Sequence, residues 1–140
     1  PVNFTYYVQA GGWSPFAMLV SVTIGLMGVN VLLVNNYRDM DDDKAVNKHT
    51  TVVIFGRKVM GYAYLSAGLI AMLILFPVWS MFSWEMSVGV VVVYLLPHIV
   101  LWRNLTSKRG AQLNPILGKT AMLLFVFTTA LTAALCLCHL

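Results

Sequence analysis

Three oxygen-bearing side chains recur at four-residue intervals in the most polar part of the sequence: Asn35, Asp39 and Asp43. Residues four apart on an α-helix lie on one face, with about 5–6 Å between successive Cβ atoms. The spacing therefore predicts that these side chains stack. Two carboxylates and an amide oxygen on one face suit a hard, oxygen-preferring cation such as Mg²⁺.

Further charged residues surround this triplet. Asp41 and Asp42 bring the total to four carboxylates within five residues, and like charges that close repel unless a cation neutralises them. Mg²⁺ commonly takes substrate phosphates as its remaining ligands, and basic side chains bind the other phosphate oxygens. The basic residues nearby are Arg38, Lys44, Lys48, Arg57 and Lys58. This mixture favours a metal-bridged diphosphate over a solvated, charge-balanced loop.

The elements that must position these residues are apolar. The chain has 140 residues, of which 59% are hydrophobic and 10% charged, against roughly 45–50% and about 25% in soluble domains. All nine Lys and Arg, and four of the five acids, fall within 38–58 and 103–119. The uncharged stretches between them approach or exceed the ~20 residues that cross a bilayer as helix. Because backbone groups in lipid must be satisfied within the segment, the sequence predicts an all-α, polytopic membrane protein.

Capping signals divide this protein into four predicted transmembrane helices. Ser14 with Pro15, and Asn114 with Pro115, are typical of an N-cap followed by a first helical residue, and Pro97 should kink the third helix. The predicted helices cover about 15–43, 58–79, 83–103 and 115–138. The polar loops between them cover about 38–58 and 103–119.

The distribution of charge also predicts the orientation. Basic residues beside apolar spans follow the positive-inside rule, so both charged segments should be cytoplasmic, with the connection near Trp79 to Glu85 on the other side. In this setting the net charge of +4 indicates membrane topology and not binding to nucleic acid.

The run from Asn35 to Gly56, NNYRDMDDDKAVNKHTTVVIFG, resembles the second Asp-rich motif of the intramembrane aromatic prenyltransferases. That motif combines Asn-x-x-x-Asp-x-x-x-Asp with a downstream Lys-x-Thr and a Gly. The Asn-Asn-x-Arg-Asp segment and the upstream Tyr7-Val8-Gln9 are most similar to the branch that acts on 1,4-dihydroxy-2-naphthoate in menaquinone biosynthesis. The chain departs from this branch at Asn47, where Gly is usual; Asn also tolerates a left-handed backbone.

The resemblance implies a nine-helix fold with two Asp-rich motifs, in which residues 1–140 form the C-terminal part of one transmembrane domain. It implies Mg²⁺-dependent transfer of a polyprenyl group from polyprenyl diphosphate to 1,4-dihydroxy-2-naphthoate, in the bacterial cytoplasmic (inner) membrane. The first motif would lie in a missing N-terminal half, so we expect this chain alone to be inactive.

The resemblance also implies roles for individual residues. Asn35, Asp39 and Asp43 would hold Mg²⁺, while Arg38 and Lys48 would bind diphosphate. Aromatic faces can stabilise an allylic cation, although aromatic side chains also anchor helices at membrane interfaces. The candidates for either role are Tyr62, Tyr64, Tyr94 and Trp102. His98 is either a contact for the acceptor or a hydrogen-bonded packing residue.

Three alternatives remain at this point. A prenyltransferase of the same family with another acceptor, such as 4-hydroxybenzoate or homogentisate, would share the Asp motif. A transporter fragment would use the acids as a cation path, although they lie at a helix end and not at mid-membrane depth. A purely structural membrane subunit would leave the Asn and Asp spacing unexplained.

Overall fold

The structure, a computed structural model, describes residues 2–79 and 82–138, and this part of the chain is helical without strands. Seven α-helices and one short 3-10 helix follow in order. The α-helices are α1 (Val2–Ala10), α2 (Pro15–Arg38), α3 (Met40–Ala45), α4 (Thr51–Ile74), α5 (Phe76–Trp79), α6 (Trp84–Ser107) and α7 (Asn114–Cys138), and the 3-10 helix is Gly110–Leu113. The prediction of an all-α bundle is confirmed.

The four long helices pack in a ring. Helix α2 contacts α4 and α7, and α6 contacts the same two helices from the other side. The ring therefore has an α2–α7 seam and, opposite to it, an α4–α6 seam. Ser14 caps α2 as predicted, because its side chain accepts a hydrogen bond from the amide of Ala17 at 3.3 Å.

Three segments of the described chain are long and apolar enough to cross a membrane, where the sequence predicts four: Pro15–Arg38, Trp84–Ser107 and Gly110–Leu137. The second predicted span falls short because α4 begins at Thr51 and includes Arg57 and Lys58 in its first turns. Its uncharged part is therefore shorter than the ~20 residues that a hydrocarbon core requires.

Several predicted boundaries differ from those in the structure. Helix α2 ends at Arg38 and not near Asp43, because Asp39 leaves helical geometry with φ −89° and ψ 6°. The predicted helix 58–79 is instead α4 followed by the separate α5. The third and fourth helices cover Trp84–Ser107 and Asn114–Cys138 rather than 83–103 and 115–138. Ser80 and Met81, in the predicted connection between the second and third helices, lie outside the described residues.

The segment before Lys58, which the sequence predicts to be loop, is already helical from Thr51. Within α4 only Gly56 is non-helical, with φ 78° and ψ 161°. This backbone region is essentially confined to glycine. Gly56 therefore divides the short first segment of α4, residues 51–55, from the rest of the helix.

Aromatic rings stack in the centre of the bundle. The imidazole of His98 lies between Tyr64, at 4.7 Å between centroids, and Tyr94, at 5.2 Å. His98 Nε2 is 3.3 Å from the carbonyl oxygen of Leu65. The ring rests directly on the backbone of Gly68, where a Cβ atom would overlap it, so glycine permits the close contact between α4 and α6. These contacts favour the packing interpretation of His98.

Candidate metal and diphosphate site

The predicted triplet lies where α2 meets α3. The amide of Asp39 donates to the carbonyl oxygen of Asn35 at 3.1 Å, and the amide of Asp43 donates to the carbonyl oxygen of Asp39 at 2.8 Å. The i→i−4 pattern thus continues across the break at Asp39. The helical register that places these residues on one face is retained although the chain changes helix there.

Arg38 joins the first two members of the triplet. Its Nε donates to Asp39 Oδ1 at 2.6 Å, and its Nη2 donates to Asp39 Oδ2 at 2.8 Å. The same Nη2 donates to Asn35 Oδ1 at 2.9 Å. A forked, charge-assisted contact of this kind defines orientation as well as charge. Asn35 and Asp39 therefore present oxygens close to a single nitrogen atom.

The third member pairs with a different cation. Asp43 is buried, with 6% of its surface exposed, and its Oδ1 lies 2.9 Å from Lys48 Nζ. Its other oxygen, Oδ2, is inaccessible and has no hydrogen-bond partner in the described structure. A buried carboxylate oxygen without a partner is costly, and a metal ion is one of the groups that can satisfy it.

A left-handed residue brings Lys48 back to Asp43. Asn47 has φ 57°. This confirms that Asn is accommodated at the position where the prenyltransferase branch that this chain resembles usually has Gly. The amide of Lys48 then donates to the carbonyl oxygen of Asp43 at 2.8 Å. The turn after α3 is therefore closed by one backbone bond and one ion pair between the same two residues.

Two carboxylates at this end of the bundle, Asp39 and Asp41, are held in their charged form. Hydrogen bonding from Arg38 lowers the pKa of Asp39 below its ordinary value, with smaller contributions from the charges of Arg38 and Lys48 and an opposing effect of desolvation. Hydrogen bonding from Arg57, at 2.9 Å, likewise lowers the pKa of Asp41. Opposite charge and donated hydrogen bonds favour the ionised form of an acid.

The donor set fits a hard divalent ion. No group of three or more His, Cys, Asp or Glu side chains within residues 2–79 and 82–138 is placed to hold a metal ion by itself, so a metal here would rest on two carboxylates and the amide oxygen of Asn35. Mg²⁺ is usually bound by one or two carboxylates together with waters and phosphate oxygens. The partnerless Oδ2 of Asp43 supports the same assignment.

A cavity of about 340 Å³ opens beside Asp39 at the α2–α7 seam. Its lining residues are Arg38, Asp39, Asp42, Gly110, Ala111 and Asn114. Asn114 accepts a hydrogen bond from Arg38 Nη1 at 3.1 Å. The sequence predicts Asn114 only as the start of a helix, and nothing in the local pattern indicates its contact with a residue 76 positions away.

The candidate aromatic residues lie elsewhere. Tyr64 and Tyr94 are buried inside the bundle, whereas Tyr62 and Trp102 line a different cavity, at the α4–α6 seam. None of these four aromatic residues lines the cavity beside Asp39. The structure thus brings together Asn35, Arg38 and Asp39, and pairs Asp43 with Lys48, without adding an aromatic wall from this chain.

Sequence similarity to known proteins identifies the family of this chain. The chain is 29% identical over 125 residues to the 1,4-dihydroxy-2-naphthoate octaprenyltransferase of Haemophilus influenzae. The match covers 87% of this chain and 40% of that relative, so the chain spans less than half of the relative's length. No solved structure matches the chain. Residues 1–126 match the sequence profile of the UbiA prenyltransferase family, a match that includes the whole Asn35–Gly56 run, and the chain therefore belongs to that family.

Proposed function

We propose that this chain supplies the second Asp-rich half of a membrane-bound 1,4-dihydroxy-2-naphthoate polyprenyltransferase of menaquinone biosynthesis. The proposal draws on the family, on the name of the Haemophilus influenzae relative and on the Asn-Asn-x-Arg-Asp segment. In this reaction the allylic carbon–oxygen bond breaks with its electron pair going to diphosphate. A carbon–carbon bond then forms at the naphthoate ring carbon that loses carbon dioxide.

The residues of the site divide this work. Asn35, Asp39 and Asp43 would hold Mg²⁺, which when bound neutralises charge on the leaving diphosphate. Arg38 contacts Asp39 and Lys48 contacts Asp43, so both basic side chains would be close to a diphosphate bound beside these carboxylates. In the described arrangement the guanidinium of Arg38 also orients Asp39 and Asn35. We therefore assign it a positioning role in addition to the predicted contact with diphosphate.

The observation that carries the proposal is the buried, partnerless Oδ2 of Asp43 within the matched motif. A purely structural ion pair between Asp43 and Lys48 would not require a second oxygen to lie buried without a donor. A magnesium ion or its bound water would give that oxygen a partner.

The test is prenyl transfer by the intact natural enzyme in membranes. It uses a polyprenyl diphosphate with 1,4-dihydroxy-2-naphthoate, 4-hydroxybenzoate or homogentisate, with Mg²⁺ or with a chelator. We expect Mg²⁺-dependent product with the naphthoate alone, and none from the 140-residue chain assayed beside it.

Each of the other possible results would change or contradict a different part of the proposal. Product with another aromatic acid would change the acceptor and leave the reaction type. Product that persists in chelator would contradict the metal site. No product with any acceptor, from enzyme that is present and folded in the membrane, would contradict the transferase activity and favour a transport role.

A further inference from the structure

A second polar cavity, of about 360 Å³, lies at the α4–α6 seam, where Tyr37 of α2 also lines it. Four of its lining residues are basic: Arg57, Lys58, Lys108 and Arg109. The proposed prenyl transfer uses none of them. Two of the four come from the start of α4, and two come from the segment between α6 and the 3-10 helix.

Positive charge in this cavity is only partly compensated. The nearest acid is Asp41, whose Oδ2 lies 2.9 Å from Arg57 Nη2, and Asp41 itself is 74% exposed at the side chain. No acid is among the residues that line the cavity. A pocket with four cations and one peripheral carboxylate attracts anions.

The cavity wall is rich in donors and poor in acceptors. Arg57 Nε and Trp102 Nε1 are both buried without a hydrogen-bond partner among the described residues. The guanidinium of Arg57 lies over the ring of Tyr37, 5.9 Å from its centroid, so its position is defined by packing as well as by Asp41. Such donors are rarely left unpaired. The two unpaired donors of this wall lack acceptors among the described residues, and a bound anion would supply them.

The position of the cavity along the candidate membrane span indicates where its anion would come from. Trp102 and Thr106 belong to the last two turns of α6, a candidate membrane span that ends at Ser107, and Lys108 and Arg109 follow immediately. The indole of Trp102 packs near Tyr62, at 6.2 Å between ring centroids. Aromatic rings beside basic residues are typical of the level of the lipid headgroups.

We propose that the α4–α6 cavity is a binding site for a phosphate group, separate from the Asp-rich site and carried either by an anionic lipid headgroup or by free phosphate. Phosphate oxygens are bound by the forked guanidinium of Arg and by the point charge of Lys, and this cavity contains both kinds of donor. None of the residues that line this cavity lines the Asp39 cavity, and none is proposed to bind the diphosphate there.

The experiment compares two double variants of the intact protein in detergent. One, Lys58→Gln with Arg109→Gln, removes two exposed cations that line the cavity. The matched control, Lys44→Gln with Lys119→Gln, removes two exposed cations outside it. Native mass spectrometry then measures retention of phosphatidylglycerol and of phosphatidylcholine, and isothermal titration calorimetry measures binding of inorganic phosphate.

We expect the unaltered protein to retain phosphatidylglycerol over phosphatidylcholine. The cavity variant should lose roughly tenfold or more of that preference, since each basic residue near an anionic surface contributes substantially to binding. The control variant should keep it. Binding of inorganic phosphate that is lost in the cavity variant alone, without lipid preference, would support the site with free phosphate as its source. Equal losses in the two variants, or no binding of either probe, would overturn the proposal.

Discussion

At the scale of single residues, Arg38 has the largest influence on the Asp-rich site. Its guanidinium donates to Asp39, to Asn35 and, across the α2–α7 seam, to Asn114. One side chain therefore sets the positions of two proposed metal ligands and ties them to α7. Asp43 is held independently by Lys48, so the two carboxylates can be tested separately.

The first prediction concerns Asp43. Asp43→Asn should lower prenyl transfer by the intact enzyme roughly 10²-fold or more, as expected when a group that stabilises transition-state charge is removed. Asp41→Asn is the matched control, because it makes the same change within α3 at an exposed residue paired with Arg57. Initial rates at saturating substrates, normalised to protein in the membrane, measure both. Comparable rates for the two variants would exclude Asp43 from the site.

The second prediction concerns pH. Since Arg38 lowers the pKa of Asp39, the ion pair should contribute stability at every pH above the ordinary Asp pKa of about 3.9. That contribution should be lost only as the pH falls through the lowered value. Arg38→Gln removes the hydrogen bonds and the charge of Arg38 that lower the pKa of Asp39, so this carboxylate should protonate at higher pH than in the unaltered protein.

Infrared titration of the carboxyl band would measure this shift, with Arg38→Gln/Asp39→Asn used to assign the band to Asp39. Arg103→Gln, which removes an exposed arginine from α6, is the charge control and should leave the band unchanged. Identical titration of the unaltered protein and Arg38→Gln would show that Arg38 does not govern the charge of Asp39.

At the scale of elements, the functional features lie at breaks in the helices. Asp39 separates α2 from α3, Asn47 turns the chain after α3 with φ 57°, and Gly56 interrupts α4 with φ 78°. These breaks turn the chain so that Lys48 meets Asp43 and Arg57 meets Asp41. A continuous helix from 15 to 43 followed by a loop, as the sequence predicts, would lack the break at Asp39.

The third prediction concerns the α4–α6 contact. Gly68→Ala places a Cβ against His98, whose ring cannot easily move because it is stacked between Tyr64 and Tyr94. The variant should lose about 1–3 kcal/mol of stability, the usual cost of overpacking. Gly89→Ala, where nothing lies within 4 Å of the added atom, is the control and should be neutral or slightly stabilising.

Thermal unfolding of the detergent-solubilised protein, followed by circular dichroism, measures the two glycine variants. A fall in midpoint for Gly68→Ala alone is the expected result. Equal midpoints for the two variants would mean that the helices separate enough to accept the methyl group.

At the scale of the whole molecule, the polar ends of the helices gather at one end of the bundle. The contact of Arg38 with Asn114 joins the end of α2 to the start of α7, and the contact of Arg57 with Asp41 joins the start of α4 to α3. Glu85 lies in the first turn of α6, at the opposite end of that helix from Lys108. We therefore expect both basic segments on one side of the membrane, and the positive-inside rule predicts that this side is the cytoplasm.

The fourth prediction tests this arrangement. Single cysteines at Lys44→Cys and Lys108→Cys, introduced after Cys136 and Cys138 are replaced by Ser, should react with a membrane-impermeant maleimide only in inverted vesicles. Glu85→Cys should react only in right-side-out vesicles. Labelling of Lys44→Cys and Lys108→Cys from opposite sides would contradict the common end that the structure gives them.

The local sequence was sufficient for the helical class, the membrane setting and the register of Asn35, Asp39 and Asp43. These features depend on hydropathy and on residues a few positions apart, whose interactions the helix itself determines. The capping of α2 by Ser14 and the left-handed conformation accepted by Asn47 are local in the same sense.

Only the tertiary structure decided which residues from distant segments pair with each other beside the two cavities. Arg38 meets Asn114 and Arg57 meets Asp41 because packing of the helices brings distant segments together, and no local periodicity carries that information. The same packing buries Tyr64 and Tyr94 in the core but leaves Tyr62 and Trp102 at the α4–α6 seam. Tyr62 and Tyr64 lie two residues apart in α4, so their different positions arise from which helix faces meet in the ring.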